Sequence, residues 1–343
     1  MELIILNNIK NYLAALDFDG TIADTFIKGP KGIGVNEATA LALTDILGSG
    51  SHELYTSSGG LKNRAPSELI FNMLNGPNKQ DFLTHAKIFF ESELPDLNTL
   101  VPEGKGVPLV WDDQHPEKII GELFVRQKLS YLMDQIGTEL PDGRKWPPLC
   151  KGFTEFWNAL NKLKKDGVGI NTAIISSGHD LFIKKVFDLY GLTLPDILVT
   201  EDDIRGKHYP KEMDRRVKPG SFPLALAHLK WLRLNNPKAE YFTSDQPGIL
   251  SAKESRSRMI YFGDDPIKDG QLANRAQVLF GWFNPNNKEG NPPFSMQFTD
   301  WEQPAKLFQQ NKMQLIEGKP FNDIFNIPLV PKEGKLLTSL ERQ

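Results

Sequence analysis

The sequence predicts an α/β fold: a doubly wound, mainly parallel sheet with a helical domain inserted near its start. Three observations predict it. After residue 150, apolar runs of strand length alternate with amphipathic segments of helix length, the rhythm of parallel strands joined by crossovers. That rhythm is absent from 25–149, where helical patterns follow one another. Three of the apolar runs stop at polar residues, namely Asp17 with Asp19, Ser176, and Asp264 with Asp265. A parallel sheet carries such strand ends to one edge, where open α/β sheets bind ligands.

The elements follow in order. Residues 12–17 form the first strand, and 35–47 a helix closed by Gly48. The Gly- and Ser-rich stretch 48–60 reads as a turn, and Pro66 opens a second helix to Leu74. A third helix spans 80–94 and ends at Pro95, before a long loop over 96–116. Pro116 starts what reads as the longest helix, to about Ile136, with Leu129, Leu132, Met133 and Ile136 spaced i, i+3, i+4, i+7. Residues 152–165 are amphipathic through Phe153, Phe156, Trp157, Leu160 and Leu163. Strands at 170–175, 196–200, 258–262 and, last, 278–283 alternate with helices at 179–190, 219–234 and 268–276. A loop over 284–293 and a final helix over 301–310 complete the core, and the tail 311–343 carries no readable role. The domains expected are therefore 1–24 with 150–310 as a discontinuous core, 25–149 as the insertion, and 311–343 as an extension.

Bulk properties narrow the function classes. With 40 Lys+Arg against 43 Asp+Glu in 343 residues, the net charge of -3 gives no argument for nucleic acid or an anionic membrane. The single cysteine, Cys150, excludes an internal disulfide and suits a reducing compartment. No stretch approaches the roughly 20 apolar residues of a membrane span. A cytoplasmic protein with a small-molecule partner is the expectation.

The chemistry collects at the strand ends. Asp17 and Asp19, two apart, leave the same face of a strand and repel each other unless a cation or a shared proton intervenes. Gly20 then permits a turn that a side chain would resist. Bringing Asp264 and Asp265 to the same edge makes four carboxylates, a set that calls for a divalent cation. Mg²⁺ suits it, since it takes a few carboxylates and leaves positions for water and a substrate phosphate. An ionised aspartate in line with phosphorus is a competent nucleophile.

These segments resemble the four motifs of the haloacid dehalogenase-like superfamily of phosphotransferases. They are DxDGT at 17–21, an apolar strand ending in Ser176, Lys218-Pro219 at a helix start, and GDDxxxxD from Gly263 to Asp269. The resemblance implies a Rossmann-like core and assigns roles. Asp17 is the nucleophile, and Asp19 the acid that protonates the leaving oxygen and then the base that activates water. Asp17, the backbone carbonyl of Asp19 and Asp264 hold Mg²⁺, with Asp265 or Asp269 supporting the metal or orienting Lys218. Thr21, Ser176, its rival Ser177, and Lys218 bind phosphoryl oxygens. Because the family's dehalogenases lack the Asp19 acid, phosphoryl transfer is favoured. The insertion corresponds to a helical cap, and 59–66 is similar to the specificity loop of phosphoglycolate phosphatases and β-phosphoglucomutases, with Lys62 and Arg64 as leaving-group contacts.

Two departures stand against that pattern: a long interval from Lys218 to Gly263, with an insertion expected at 236–257, and Lys151-Gly152 where relatives often carry Pro-Gly. His179 reads as a helix start, and the basic run from Arg205 to Arg216 as a solvated loop. The function expected is a Mg²⁺-dependent phosphatase for a small phosphorylated metabolite, working through an aspartyl-phosphate. A sugar phosphomutase and a non-catalytic binding protein of the same fold are the alternatives.

Overall fold

The structure is a computed structural model, and it describes residues 11–57, 70, 72–97, 100, 109–205, 218, 220, 222–235, 253–290, 292–293 and 295–327. Its centre is a six-stranded sheet of β1 (Tyr12–Leu16), β2 (Ile170–Ile175), β3 (Ile197–Val199), β4 (Met259–Gly263), β5 (Leu279–Phe283) and β6 (Ser295–Phe298). The spatial order is β3-β2-β1-β4-β5-β6, and every pairing is parallel. The order reverses between β1 and β4, the switch point at which doubly wound sheets hold ligands.

Strand alternation sorts the core onto two faces. Tyr12, Ala14, Leu16, Ile170, Ile174, Ile260 and Phe262 join one cluster with the helices Phe153–Lys165, Asp180–Leu189 and Glu302–Gln310. Leu13, Ala15, Ala173, Ile175, Met259 and Tyr261 join the other with Phe222–Asn235 and Lys268–Ala276. On the first face Trp301 packs among Phe153, Phe156, Phe262, Phe283 and Phe298, with ring centroids 4.6–5.6 Å from its own. Each such ring contributes about 1.5–3 kcal/mol by burial.

A third cluster is made almost wholly by helices. Ala42, Leu43, Ile46 and Leu47 from Val35–Leu47 pack with Phe82, Ala86 and Phe89 from Lys79–Leu97, and with Ile119, Ile120, Leu123, Phe124 and Val125 from Pro116–Met133. Leu129 and Leu132 of that last helix belong instead to the first sheet cluster. Val35 and Ala38 of the Val35–Leu47 helix do the same, so two helices span the two cores.

Several expectations change. The stretch after Gly48 is a helix, Ser49–Ser57, because Tyr55 buries against the helical cluster and Ser51 Oγ donates to Gly48 O at 2.6 Å. The third helix runs Lys79–Leu97, past Pro95, and its 19 residues exceed the 18 of Pro116–Met133, which stops before Ile136. Val278 does not open the last strand: β5 is followed by β6, whose Ser-Met-Gln-Phe sequence buries only Phe298 and carries no strong strand signal. The tail is partly structured, as Lys312–Glu317 and Phe321–Ile324 bury Leu315, Phe321 and Ile324 on the sheet. Of the helix expected over 66–74, residues 70 and 72–74 are helical and the rest lies outside the described residues, as do 101–108 of the expected loop and 236–252 of the insertion expected at 236–257, which ends in a short helix, Lys253–Arg256. No helix among the described residues is long and apolar enough to cross a membrane.

Candidate active site

Asp17 follows β1 and continues its ladder, its N–H donating to Phe262 O of β4 at 2.8 Å. The chain then turns tightly: Ile22 N donates to Phe18 O at 2.9 Å, and Gly20 N to Ala23 O at 2.8 Å. Gly20 has φ +77°, and a Cβ there would meet an Asp264 carboxylate oxygen at 2.9 Å. Glycine is therefore required twice over, by its backbone and by the approach of β4's acid. From below, Trp301 Nε1 donates to Thr21 O at 2.9 Å and fixes the turn to the aromatic core.

Charged groups interlock beside this turn. Lys218 Nζ lies 2.5 Å from Asp17 Oδ1 and 3.0 Å from Asp269 Oδ1. It also stands over the Tyr261 ring, 5.4 Å from the centroid, while the Tyr261 hydroxyl donates to Asp269 Oδ1 at 2.9 Å. Asp269 Oδ2 accepts from Asp265 N at 3.3 Å, so both of its oxygens are engaged. Gly263 leaves the space that Asp269 fills, since a Cβ there would strike its carboxylate. Asp264 Oδ1 accepts from Thr21 Oγ1 at 3.2 Å, and Trp282 Nε1 donates to Asp264 O at 3.3 Å.

Asp17, Asp264 and Asp269 each offer an oxygen within 4.8 Å of the others. Burial pushes the Asp17 carboxyl well above its ordinary value; Lys218 pulls it down, and Asp269, Asp264 and Asp19 push it up again. Asp264 is pushed up to about 7, by burial first and Asp269 second, with Lys288 and the Thr21 hydroxyl opposing. Burial works against the Lys218 ammonium, but Asp17 and Asp269 outweigh it and hold the charge firmly. One lysine thus faces more negative charge than it neutralises. Asp17 Oδ2 and Asp264 Oδ2 accept no hydrogen bond among the described residues. An all-oxygen donor set with surplus negative charge and two uncommitted carboxylate oxygens fits a hard divalent cation such as Mg²⁺.

The rest of the constellation surrounds Asp19. Its Oδ1 accepts from Thr25 Oγ1 at 2.7 Å, and Ser176 Oγ lies 3.4 Å from its Oδ2. Ser176 is buried at the end of β2, with its Oγ accepting from Gly178 N at 2.8 Å, whereas Ser177 is exposed. Of the five aspartates read as metal-site residues, the Asp19 carboxylate is turned to Thr25 and Ser176. Asp265 caps the Lys268–Ala276 helix, accepting from Ile267 N and Lys268 N at 2.8 Å each. His179 precedes its helix and is buried against Asp202, which accepts from Asp180 N at 2.9 Å. Lys62, Arg64, Pro219 and the basic run over 207–216 lie outside the described residues.

Two groups here are absent from the sequence reading. Tyr261 lies within β4 and reads as ordinary core; the signal was its position two before Gly263, on the face opposite Phe262. Lys128, in the Pro116–Met133 helix, is 8% exposed, and the charges acting on it are Asp19 and Glu201. A lysine among Leu129, Leu132 and Val125 was the visible sign.

The sequence matches no family model and no curated protein. Solved structures of haloacid dehalogenase-like hydrolases are similar to it across most of its length. A HAD phosphatase from Thermococcus onnurineus is 17% identical, covering 87% of this chain and 97% of its own, with a TM-score of 0.37. The putative HAD-hydrolase YfnB from Bacillus subtilis, bound to magnesium, is 12% identical over 87% and 99%, with a TM-score of 0.37. CbbY from Rhodobacter sphaeroides, in complex with phosphate, is 13% identical over 85% and 95%, with a TM-score of 0.40. At such identities and scores only the residues of the site bear on function.

Proposed function

We propose that the protein is a Mg²⁺-dependent phosphatase of the haloacid dehalogenase-like type, hydrolysing a small phosphate monoester through an aspartyl-phosphate on Asp17. The observation that carries this reading is the position of Asp17. It stands at the sheet's switch point, ion-paired to Lys218, with Asp264 and Asp269 beside it and Asp19 two residues on. Residues 1–24 with 150–310 would form the catalytic core, and 25–149 a cap.

Asp17 and Asp264 would hold the metal, which when bound supplies positive charge that lets a carboxylate approach a phosphate. Lys218 would bind a transferring phosphoryl oxygen, held in place by Asp269, which Tyr261 and Asp265 N fix in turn. Asp17 attacks phosphorus, the ester P–O bond breaks, and Asp19 gives its proton to the departing oxygen. Asp19 then takes a proton from water, whose oxygen attacks phosphorus, and the bond to Asp17 breaks to release phosphate. The Thr25 hydrogen bond aims Asp19, and Ser176 with the Gly178 turn lines the oxygen-binding side.

The test is phosphate release from a generic aryl phosphate and a panel of metabolite monoesters, with and without Mg²⁺. Release that needs Mg²⁺ and disappears in Asp17→Asn supports the reading. Absence of release across the panel overturns it, and isomerised sugar phosphate in excess of free phosphate would replace it with mutase chemistry.

A further inference from the structure

The Pro116–Met133 helix treats its two buried cations differently. Arg126 lies on the side of the helical cluster and is paired within the helix, its Nε 2.9 Å from Glu122 Oε1, with both side chains at most 3% exposed. Lys128 is next to Leu129 and Leu132, where the helix crosses onto the sheet cluster. Its ammonium makes no hydrogen bond or ion pair among the described residues. The charges that act on it belong to the sheet edge: Asp19, and Glu201, whose N–H donates to Gly178 O at 3.1 Å beside Ser176. A lysine ammonium carries three donors, and burying it without a partner is costly. Burial lowers its proton affinity, and Asp19 and Glu201 restore part of it. The missing partner is therefore an anion that arrives next to Asp19, and what arrives there is the leaving group.

We propose that Lys128 determines specificity: its ammonium binds a second anionic group, carboxylate or phosphate, carried on the leaving group of the phosphate monoester. This rests on the phosphatase reading of Asp17 and Asp19. Lys128 makes no ion pair with Asp19 among the described residues, so the second anion is a group apart from the ester oxygen that Asp19 serves.

A matched set of esters tests it: isopropyl phosphate, 2-phospholactate, which replaces one methyl by carboxylate, and propane-1,2-diol bisphosphate. Wild type should prefer at least one of the two doubly anionic esters by about tenfold or more in kcat/KM, the worth of a charged hydrogen bond. Lys128→Met should erase that preference through KM and leave isopropyl phosphate nearly unchanged, while Lys128→Arg should keep part of it. The methionine removes a buried charge without leaving a void, so the fold is retained. No preference in wild type, or an equal loss on all three esters in Lys128→Met, overturns the proposal. The second pattern would mean that Lys128 acts through Asp19 or through the fold. Binding of the same esters to Asp17→Asn protein, by calorimetry, separates the two readings. If nothing is hydrolysed but Lys128→Met abolishes a difference in affinity, the phosphatase reading falls and the anion site stands. If nothing is hydrolysed and the affinities are equal, both fall.

Discussion

The sheet edge and the helical cluster bury charge in opposite ways. At the edge, Asp17, Lys218, Asp269, Tyr261 and Asp264 come from segments far apart in sequence and satisfy one another across strand ends. In the helical cluster burial is almost wholly apolar, and the buried pair Glu122–Arg126 is closed within two turns of one helix. The edge gathers buried carboxylates around one lysine, and the helices hold a packed apolar face. A change in one region should therefore separate activity from stability in a way that a change in the other reverses.

The largest effect expected is from Asp17→Asn, which should lower hydrolysis of an aryl phosphate by about 10³-fold or more. Its thermal midpoint should hold or rise, because a buried acid facing other acids is removed. Equal turnover in the variant would sink the nucleophile assignment. Leu123→Ala is the converse: it empties a fully buried site in the helical cluster and should cost about 2–5 kcal/mol in urea unfolding, with kcat on the aryl phosphate kept. If kcat collapses with stability, the two regions are one energetic unit.

A finer probe uses two glycines. A Cβ at Gly281 would strike the Phe262 ring, and one at Gly263 would strike Asp269. Each alanine should cost about 1–3 kcal/mol by overpacking, and only Gly263→Ala should also lower kcat, by displacing the acid that holds Lys218.

The smallest effect concerns protons. Asp264 has a native value of about 7 against the ordinary 3.8, so the fold favours its protonated form. That contribution is complete at low pH and lost as pH rises through about 7. A cation binds the ionised form, so the rise in thermal midpoint given by Mg²⁺ should grow between pH 5 and pH 8. An increment independent of pH would place the metal elsewhere.

The fold was legible wherever burial imposes a period. β2 and the helices 35–47 and 268–276 are read to the residue, because strands buried on both faces appear as apolar runs and Gly48 ends its helix. β6 was not legible, since an edge strand with one buried residue has no pattern to show. The Ser49–Ser57 helix was hidden by turn-forming residues and exists through packing. Within the site, aspartates at strand ends announce themselves. Their division of labour does not: that Asp265 caps a helix while Asp269 turns back to Lys218 is decided by where the helix starts. Lys128 and Tyr261 were missed because each lies inside an element otherwise occupied by core residues.

The bond from the Trp301 indole to Thr21 O joins residues 280 positions apart, and the Tyr12 hydroxyl reaches Lys319 O across 307. During synthesis β1 leaves the ribosome early, yet its partners β2 and β4 and the aromatic base beneath its turn are all made later. The nascent chain must carry Tyr12 to Leu16 unpaired until β2 is made, and with one edge open until β4 follows. The turn that carries Asp17 and Asp19 is thus made before the strands that flank it and is completed only once β4 and Trp301 have followed.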